Sequence, residues 1–239
     1  MFGVNVLVTG VSRRAGIGYA IAGRLRQDGA QVFTHGWTPH DAAQPWGADD
    51  DFAADVEADF AEPDAPARVI AAARSALGPL DVLVVNHARS GLGRLHELTA
   101  EHVDAFLHEN VRASLLLVKE FADQFDGDTG RVVLITSGAH LGPMAREVAY
   151  AVSKGALAIA TATLAAELAD RGITVNCVNP GPTDTGWGLS EQPATPRMPS
   201  GRWGEPDDAA RLVAWLVSDE GRWVTGQVID SEGGFRRFA

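Results

Sequence analysis

One cysteine, Cys177, is all the thiol chemistry the chain carries. No internal disulfide can form, and a lone thiol inside the apolar run "GITVNCVN" reads as a buried, inert side chain suited to a reducing, cytoplasmic compartment. Positive charge is also in short supply: 20 Lys and Arg stand against 31 Asp and Glu, a net charge of -11. That balance disfavours general binding to nucleic acid or to anionic membranes. No run approaches the roughly eighteen consecutive apolar residues of a membrane-spanning helix. The start, "MFGVNVLVTG", has neither a basic leader nor a cleavable apolar segment and reads as a first strand. Cysteine and histidine are nowhere spaced as zinc ligands, and Asp184 has no clustered carboxylates for magnesium, so no metal is expected.

What is present is enough apolar residue, 46% of 239, for one substantial core, and a single domain over residues 1–239 is expected. Short branched apolar runs fall at Val4–Val8, Gln31–Thr34, Leu80–Val85, Arg131–Thr136, Thr174–Val178 and Gln227–Ile229. Longer Ala- and Leu-rich segments alternate with them at Ile17–Asp28, Pro66–Ala76, Ala100–Gln124, Tyr150–Asp170 and Pro206–Leu216. Strands that are apolar throughout, alternating with helices, predict an α/β fold: a doubly wound Rossmann-type parallel sheet with helices on both faces. The eight acids between Asp49 and Asp64 read as a solvated face. A third parallel strand there would bring Asp59 and the Phe60 backbone to the sheet's carboxyl edge, close to an adenine.

The nucleotide signal is "VTGVSRRAGIG", residues 8–18. Gly10 suits the sharp turn after a strand, Gly16 and Gly18 allow close backbone approach, and the amides before Ile17 open a helix toward a pyrophosphate. About twenty residues on, where NAD-binding domains usually place an acid, the chain has Gly36-Trp37-Thr38. With no carboxylate there, Arg13 or Arg14 is available to neutralise a 2'-phosphate, Ser12 or Thr38 to add a hydrogen bond, and Trp37 to lie beside adenine. The expected cofactor is NADP(H).

The catalytic signal is "TSGAHLGPMAREVAYAVSK", residues 136–154. Tyr150 and Lys154 share one face of a helix, and Ser137 follows a strand end that a parallel sheet brings beside that helix. A phenol, an ammonium and a hydroxyl would then surround one carbonyl oxygen. Taken singly, Ser137 could cap a turn, Asn110 could satisfy buried backbone, and Tyr150 and Lys154 could be an ordinary helix pair.

Together these motifs resemble the short-chain dehydrogenase/reductase family, and in particular its beta-ketoacyl-(acyl carrier protein) reductases. The resemblance runs through Thr9-Gly10 to Gly18, Asn86-His87-Ala88, Asn110, Ser137, Tyr150-x-x-x-Lys154, Asn179-Pro180-Gly181, Thr183 and the final "TGQVIDSEGG". It implies hydride transfer from a nicotinamide to a carbonyl carbon, with Tyr150 as proton donor and Ser137 steadying the oxygen. Lys154 would bind the nicotinamide ribose, and Asn110 would support a water-connected proton relay beside it. Asn86 and Ala88 would line the cofactor, although His87 and Arg89 replace the family's usual Asn and Gly. Pro180, Gly181, Thr183 and Thr185 would contact the nicotinamide amide or pyrophosphate. A short lid, about residues 182–203 and carrying Trp187, Leu189, Met198 and Trp203, would fold over the substrate.

The reading is therefore an NADP-dependent reductase of ketones to secondary alcohols, with a beta-ketoacyl thioester first and a small aliphatic or aromatic ketone second. Arg89, Arg94 and Arg146 are candidates for a positive rim toward an acidic carrier. Enoyl reduction is echoed by the long glycine loop, but its Tyr-x6-Lys spacing is missing. A noncatalytic nucleotide-binding protein is disfavoured by the intact tetrad. Assembly as a homodimer or homotetramer is implied by the resemblance, and the helices Ala100–Gln124 and Tyr150–Asp170 offer apolar sides for it.

Overall fold

The computed structural model describes residues 1–186, 194 and 196–238. Seven strands form one parallel sheet in the order β3-β2-β1-β4-β5-β6-β7. They are β1 Asn5–Thr9, β2 Gln31–Gly36, β3 Val56–Glu57, β4 Val82–Val85, β5 Gly130–Ile135, β6 Ile173–Asn179 and β7 Val228–Asp230. The helices are α1 Ile17–Gln27, α2 Thr38–Ala42, α3 Ala65–Leu77, α4 Ala100–Phe106, α5 Ala113–Gln124, α6 Val148–Leu168 and α7 Pro206–Val217. Alternate strand residues face opposite ways, so each strand feeds two cores. Leu7, Leu83, Val132 and Val175 pack with α3, α5 and α6, while Val6, Val8, Val82 and Val84 pack with α1 and α7.

The strand order reverses at β1, flanked by β2 on one side and β4 on the other. A crevice opens at that switch point beyond the strands' carboxyl ends, where open α/β sheets bind ligands. The third strand is real but only two residues long, and the acids around it are solvated as expected, six of the eight being exposed and none buried, while some of them also hold backbone. Asp55 accepts from the Thr34 amide at 2.8 Å and the Thr34 hydroxyl at 2.6 Å, and Asp59 accepts from the Ala61 amide at 2.8 Å.

The helix expected over Ala100–Gln124 runs unbroken between those residues but is not α-helical throughout. Between α4 and α5, Leu107–Arg112 forms a π-helical turn, with buried Asn110 inside it. Such turns are rare and cluster at functional sites. Helix α6 differs from expectation in another way: Val148–Arg171 is long and apolar enough by composition to cross a membrane, at a mean hydropathy of 1.4. Counting consecutive apolar residues missed it, because its Thr, Ser and Gly break the runs. Its inner face lies on the sheet, with Ser153, Lys154, Leu157 and Thr161 buried.

Candidate active site

Gly10 ends β1 with φ +72°, and a side chain there would collide with the His87 backbone, its Cα lying 2.6 Å from the would-be Cβ. Gly18 packs as closely on the Gly10 carbonyl and the Asn86 side chain. The loop is therefore pressed against the segment after β4, and Asn86 staples it by donating to Gly10 O at 2.9 Å and Thr9 O at 3.1 Å. No side chain caps α1 at Gly16, which leaves its first-turn amides for an anion.

Above this loop lies a solvent-open cleft. Of the residues predicted from sequence, it is lined by Gly10, Ser12, Arg13, Gly16, Ile17, Trp37, Asp59, Phe60, Asn86, Ala88, Tyr150 and Thr185. A dinucleotide fits this cradle: glycine backbone that tolerates no Cβ, helix amides, a guanidinium and an aromatic wall.

Three expectations at the phosphate end need correction. Arg14 does not line the cleft; its guanidinium pairs with Asp51 at 2.6 Å, and Asp49 accepts from its backbone amide. Thr38 opens α2 and donates its hydroxyl to Glu57, so it too is turned away. The supposed absence of an acid also fails, because Asp41 is buried at the cleft wall. It accepts from Arg13 Nε at 2.9 Å, from Trp46 Nε1 at 2.8 Å and from the Ser12 hydroxyl. Arg13 Nη1 in turn donates to the Thr185 carbonyl at 2.9 Å, joining the glycine loop to the loop after β6.

His35 and His87, given no site role from sequence, cluster with Phe60 in the cleft wall: His35 stacks on the Phe60 ring and His87 meets it at a tilt, with centroids 4.1 and 4.3 Å from its own. His87 Nε2 must carry the proton, since its partner at 3.0 Å is the Glu109 carbonyl, and Nδ1 then accepts from Thr9 Oγ1 at 2.9 Å. Burial drives its pKa well below the ordinary imidazole range and holds His35 at about 4, so both are neutral structural groups. Arg89 adopts no left-handed turn; among the described residues only glycines have positive φ.

At the other end, Tyr150 reaches the cleft from the first turns of α6, and Lys154 lies one turn further on, buried. Lys154 Nζ donates to the Ile135 carbonyl at 2.8 Å. Burial lowers its pKa to about 8, and burial together with the nearby Glu147 raises that of Tyr150. The phenol therefore holds its proton at neutral pH while the ammonium is still largely charged. Ser137 follows β5, and among the described residues its hydroxyl has only a 3.8 Å contact with Met144 Sδ.

Asn110 is not bonded to Lys154. Its amide clamps the Arg89 backbone, accepting from its N–H at 2.7 Å and donating to its carbonyl at 2.9 Å, and also donates to Ser153 Oγ at 2.9 Å. The π turn thus ties the loop after β4 to the Tyr150 helix. Pro180, Gly181 and Thr183 shape the turn after β6 without lining the cleft; Thr183 Oγ1 donates to Pro180 O at 3.2 Å. Of the expected lid, Trp187 and Leu189 lie outside the described residues, while Met198 and Trp203 form a small buried cluster with Ala194. Among the described residues no group of three metal-ligating side chains converges.

Comparison with known proteins decides the family. Residues 10–236 match the family model described as "Enoyl-(Acyl carrier protein) reductase". The chain belongs to the short-chain dehydrogenase/reductase family. It is 39% identical to the "Uncharacterized oxidoreductase YjdA" of Bacillus subtilis (strain 168), over 97% of this chain and 96% of that one. It is 34% identical to the "Acetoacetyl-CoA reductase" of Shinella zoogloeoides, over 95% and 96%. Among solved structures, a short chain dehydrogenase from Burkholderia cenocepacia J2315 in complex with NADP superposes with a TM-score of 0.83 at 36% identity, covering 98% of each chain. This short-chain dehydrogenase/reductase is thus an oxidoreductase.

Proposed function

We propose that this protein reduces a ketone to a secondary alcohol with NADPH, taking a beta-ketoacyl thioester first and a small aliphatic or aromatic ketone second. The observation that carries the reading is the Tyr150 phenol lining the cleft above the glycine loop, with Lys154 one helical turn behind it. When bound, NADPH supplies the hydride that makes the new C–H bond. Tyr150 gives its proton to the carbonyl oxygen as negative charge builds there, and the Ser137 hydroxyl donates a hydrogen bond to the same oxygen. Lys154 holds the nicotinamide ribose and makes the tyrosinate left behind less costly. Asn110 keeps the helix that carries both groups in register with the cleft wall.

The name of the Shinella relative supports the thioester. Of the three arginines considered for a positive rim, Arg89 is paired with Glu109 at 2.6 Å. The deciding experiment is an NADPH-oxidation screen of acetoacetyl-CoA, a carrier-linked beta-ketothioester and free ketones, with product identification. Reduction of free ketones alone would remove the thioester assignment. Reduction of an isolated C=C bond with carbonyls untouched would favour the enoyl chemistry in the family model's description and reject both ketone readings.

Assembly as a homodimer or homotetramer is part of the same reading. On the outer side of α5 and α6, Leu115, Val152 and Ile159 form an apolar strip, with Ile159 81% exposed. That strip explains why α6 is so apolar without requiring a membrane.

The Lys154 amine gives a pH test. Its charge is lost as pH rises through about 8 in the cofactor-free protein, and binding an anionic dinucleotide favours the charged form. The NADPH dissociation constant should be flat below pH 8 and rise above it. Lys154→Met should bind more weakly at pH 7 and lose the break; a wild-type curve flat to pH 9.5 would remove Lys154 from the cofactor site.

A further inference from the structure

The carboxyl-terminal segment does not trail into solvent. After β7 it folds back across the catalytic edge, where Arg237 and Glu232 form a two-pronged ion pair with side chains only 17% and 9% exposed. Glu232 is fixed in turn by Asn179 at the end of β6, whose Nδ2 donates to it at 2.7 Å. Its own Cα lies 2.8 Å from where a Cβ on Gly181 would stand. The guanidinium reaches the opposite side, against the turn that begins immediately after Ser137. Gly138 has no room for a Cβ because Arg237 Nη2 fills that space, and Gly142, at the far end of the turn, meets Arg237 Cδ 2.7 Å from its would-be Cβ. The Arg237 guanidinium also lies over the Phe235 ring, 5.2 Å from its centroid, and Phe235 packs on the Met198–Trp203 cluster.

Chain ends fray unless something holds them, and a buried ion pair adds little net stability once its desolvation is counted. This one lies where position matters. The Ser137 hydroxyl has no close hydrogen-bond partner among the described residues, so its aim is set by its backbone, and that backbone continues into the turn braced by Arg237. We propose that Arg237, held by Glu232, is a positioning residue for Ser137, acting through the 138–142 turn, so that the carboxyl-terminal tail is part of the active site. This rests on the reading of Ser137 as the group that holds the substrate oxygen.

The test compares wild type, Arg237→Ala, Ser137→Ala and the double variant on the ketone turned over best in the screen. Arg237→Ala should lower kcat on the order of 10- to 100-fold, as a misplacement of about an ångström does. Its NADPH dissociation constant should stay within about twofold, because the dinucleotide cleft is not lined by the tail. In the Ser137→Ala background, Arg237→Ala should cost no further activity, the non-additivity of two residues acting through one group. Amides of residues 138–142 should exchange faster with solvent in Arg237→Ala. Arg237→Lys keeps the charge without the fork and should recover part of kcat; it also serves if the alanine variant does not fold. Unchanged kcat in both Arg237 variants, a fully additive double variant, or unchanged exchange at 138–142 would each overturn the proposal. Wild-type kcat in Ser137→Ala would instead remove the role of Ser137, and the bracing of the turn would still stand or fall on the amide exchange.

Discussion

Tyr150→Phe should reduce ketone turnover by about 10²- to 10⁴-fold, the span over which positioned proton donors contribute. The ring and its place at the cleft are kept, and only the hydroxyl goes. Phe106 meets the Tyr150 ring edge-on with centroids 6.4 Å apart, a contact the substitution preserves. NADPH affinity should therefore stay within about twofold of wild type, since the lost oxygen makes no hydrogen bond among the described residues that shapes the cleft wall. The residual rate should also lose its dependence on the ionisation of the phenol. Stopped-flow turnover with saturating NADPH, read alongside fluorescence titration of the cofactor, separates chemistry from binding. A variant that binds NADPH normally and still turns over at the wild-type rate would place proton donation on another group. Asn110 gives an informative contrast. Its substitution by alanine breaks the clamp on Arg89 and Ser153 and should perturb binding and turnover together, because it moves the helix rather than the proton.

The features legible in the sequence were those with a period or a fixed spacing. Leu7, Leu83, Val132 and Val175 sit in runs apolar on both faces, which only a strand covered on both sides needs, and the sheet followed from them. Tyr150 and Lys154 were legible because four residues make nearly one helical turn. The π turn was not, because one extra residue in the Leu-rich stretch around Asn110 leaves the apolar pattern almost undisturbed. Loop side chains have no period at all. Arg13 and Arg14 are adjacent and chemically identical, yet one lines the cleft and the other pairs with Asp51 outside it. Asp41 escaped notice for a related reason. The acid was sought at the end of β2, whereas Thr38-Pro39 starts a further short helix that swings Asp41 back to the glycine loop.

That difference between neighbouring arginines sets the second large effect expected. Arg13→Ala should weaken NADPH binding by about 10- to 100-fold, the equivalent of about 1.5–3 kcal/mol for hydrogen bonds to a charged group. NADH, which has no 2'-phosphate, should lose far less. Arg14→Ala should leave both constants unchanged, since that guanidinium is occupied by Asp51 on the exposed side of the loop. Asp41 bears on the same measurement with the opposite sign. Its carboxylate takes Arg13 Nε and the Ser12 hydroxyl, the donors a 2'-phosphate needs, and a phosphate seated there faces a like charge. Asp41→Asn keeps the shape, removes the charge and should tighten NADPH relative to NADH. Titration of the four proteins with both dinucleotides decides the matter. Equal losses for NADPH and NADH in Arg13→Ala would mean that the substitution damages the shared loop, chiefly through the lost bond to Thr185 O, and that the phosphate is held elsewhere. A loss in Arg14→Ala as large as in Arg13→Ala would mean that the loop turns over on binding and exchanges Asp51 for the phosphate.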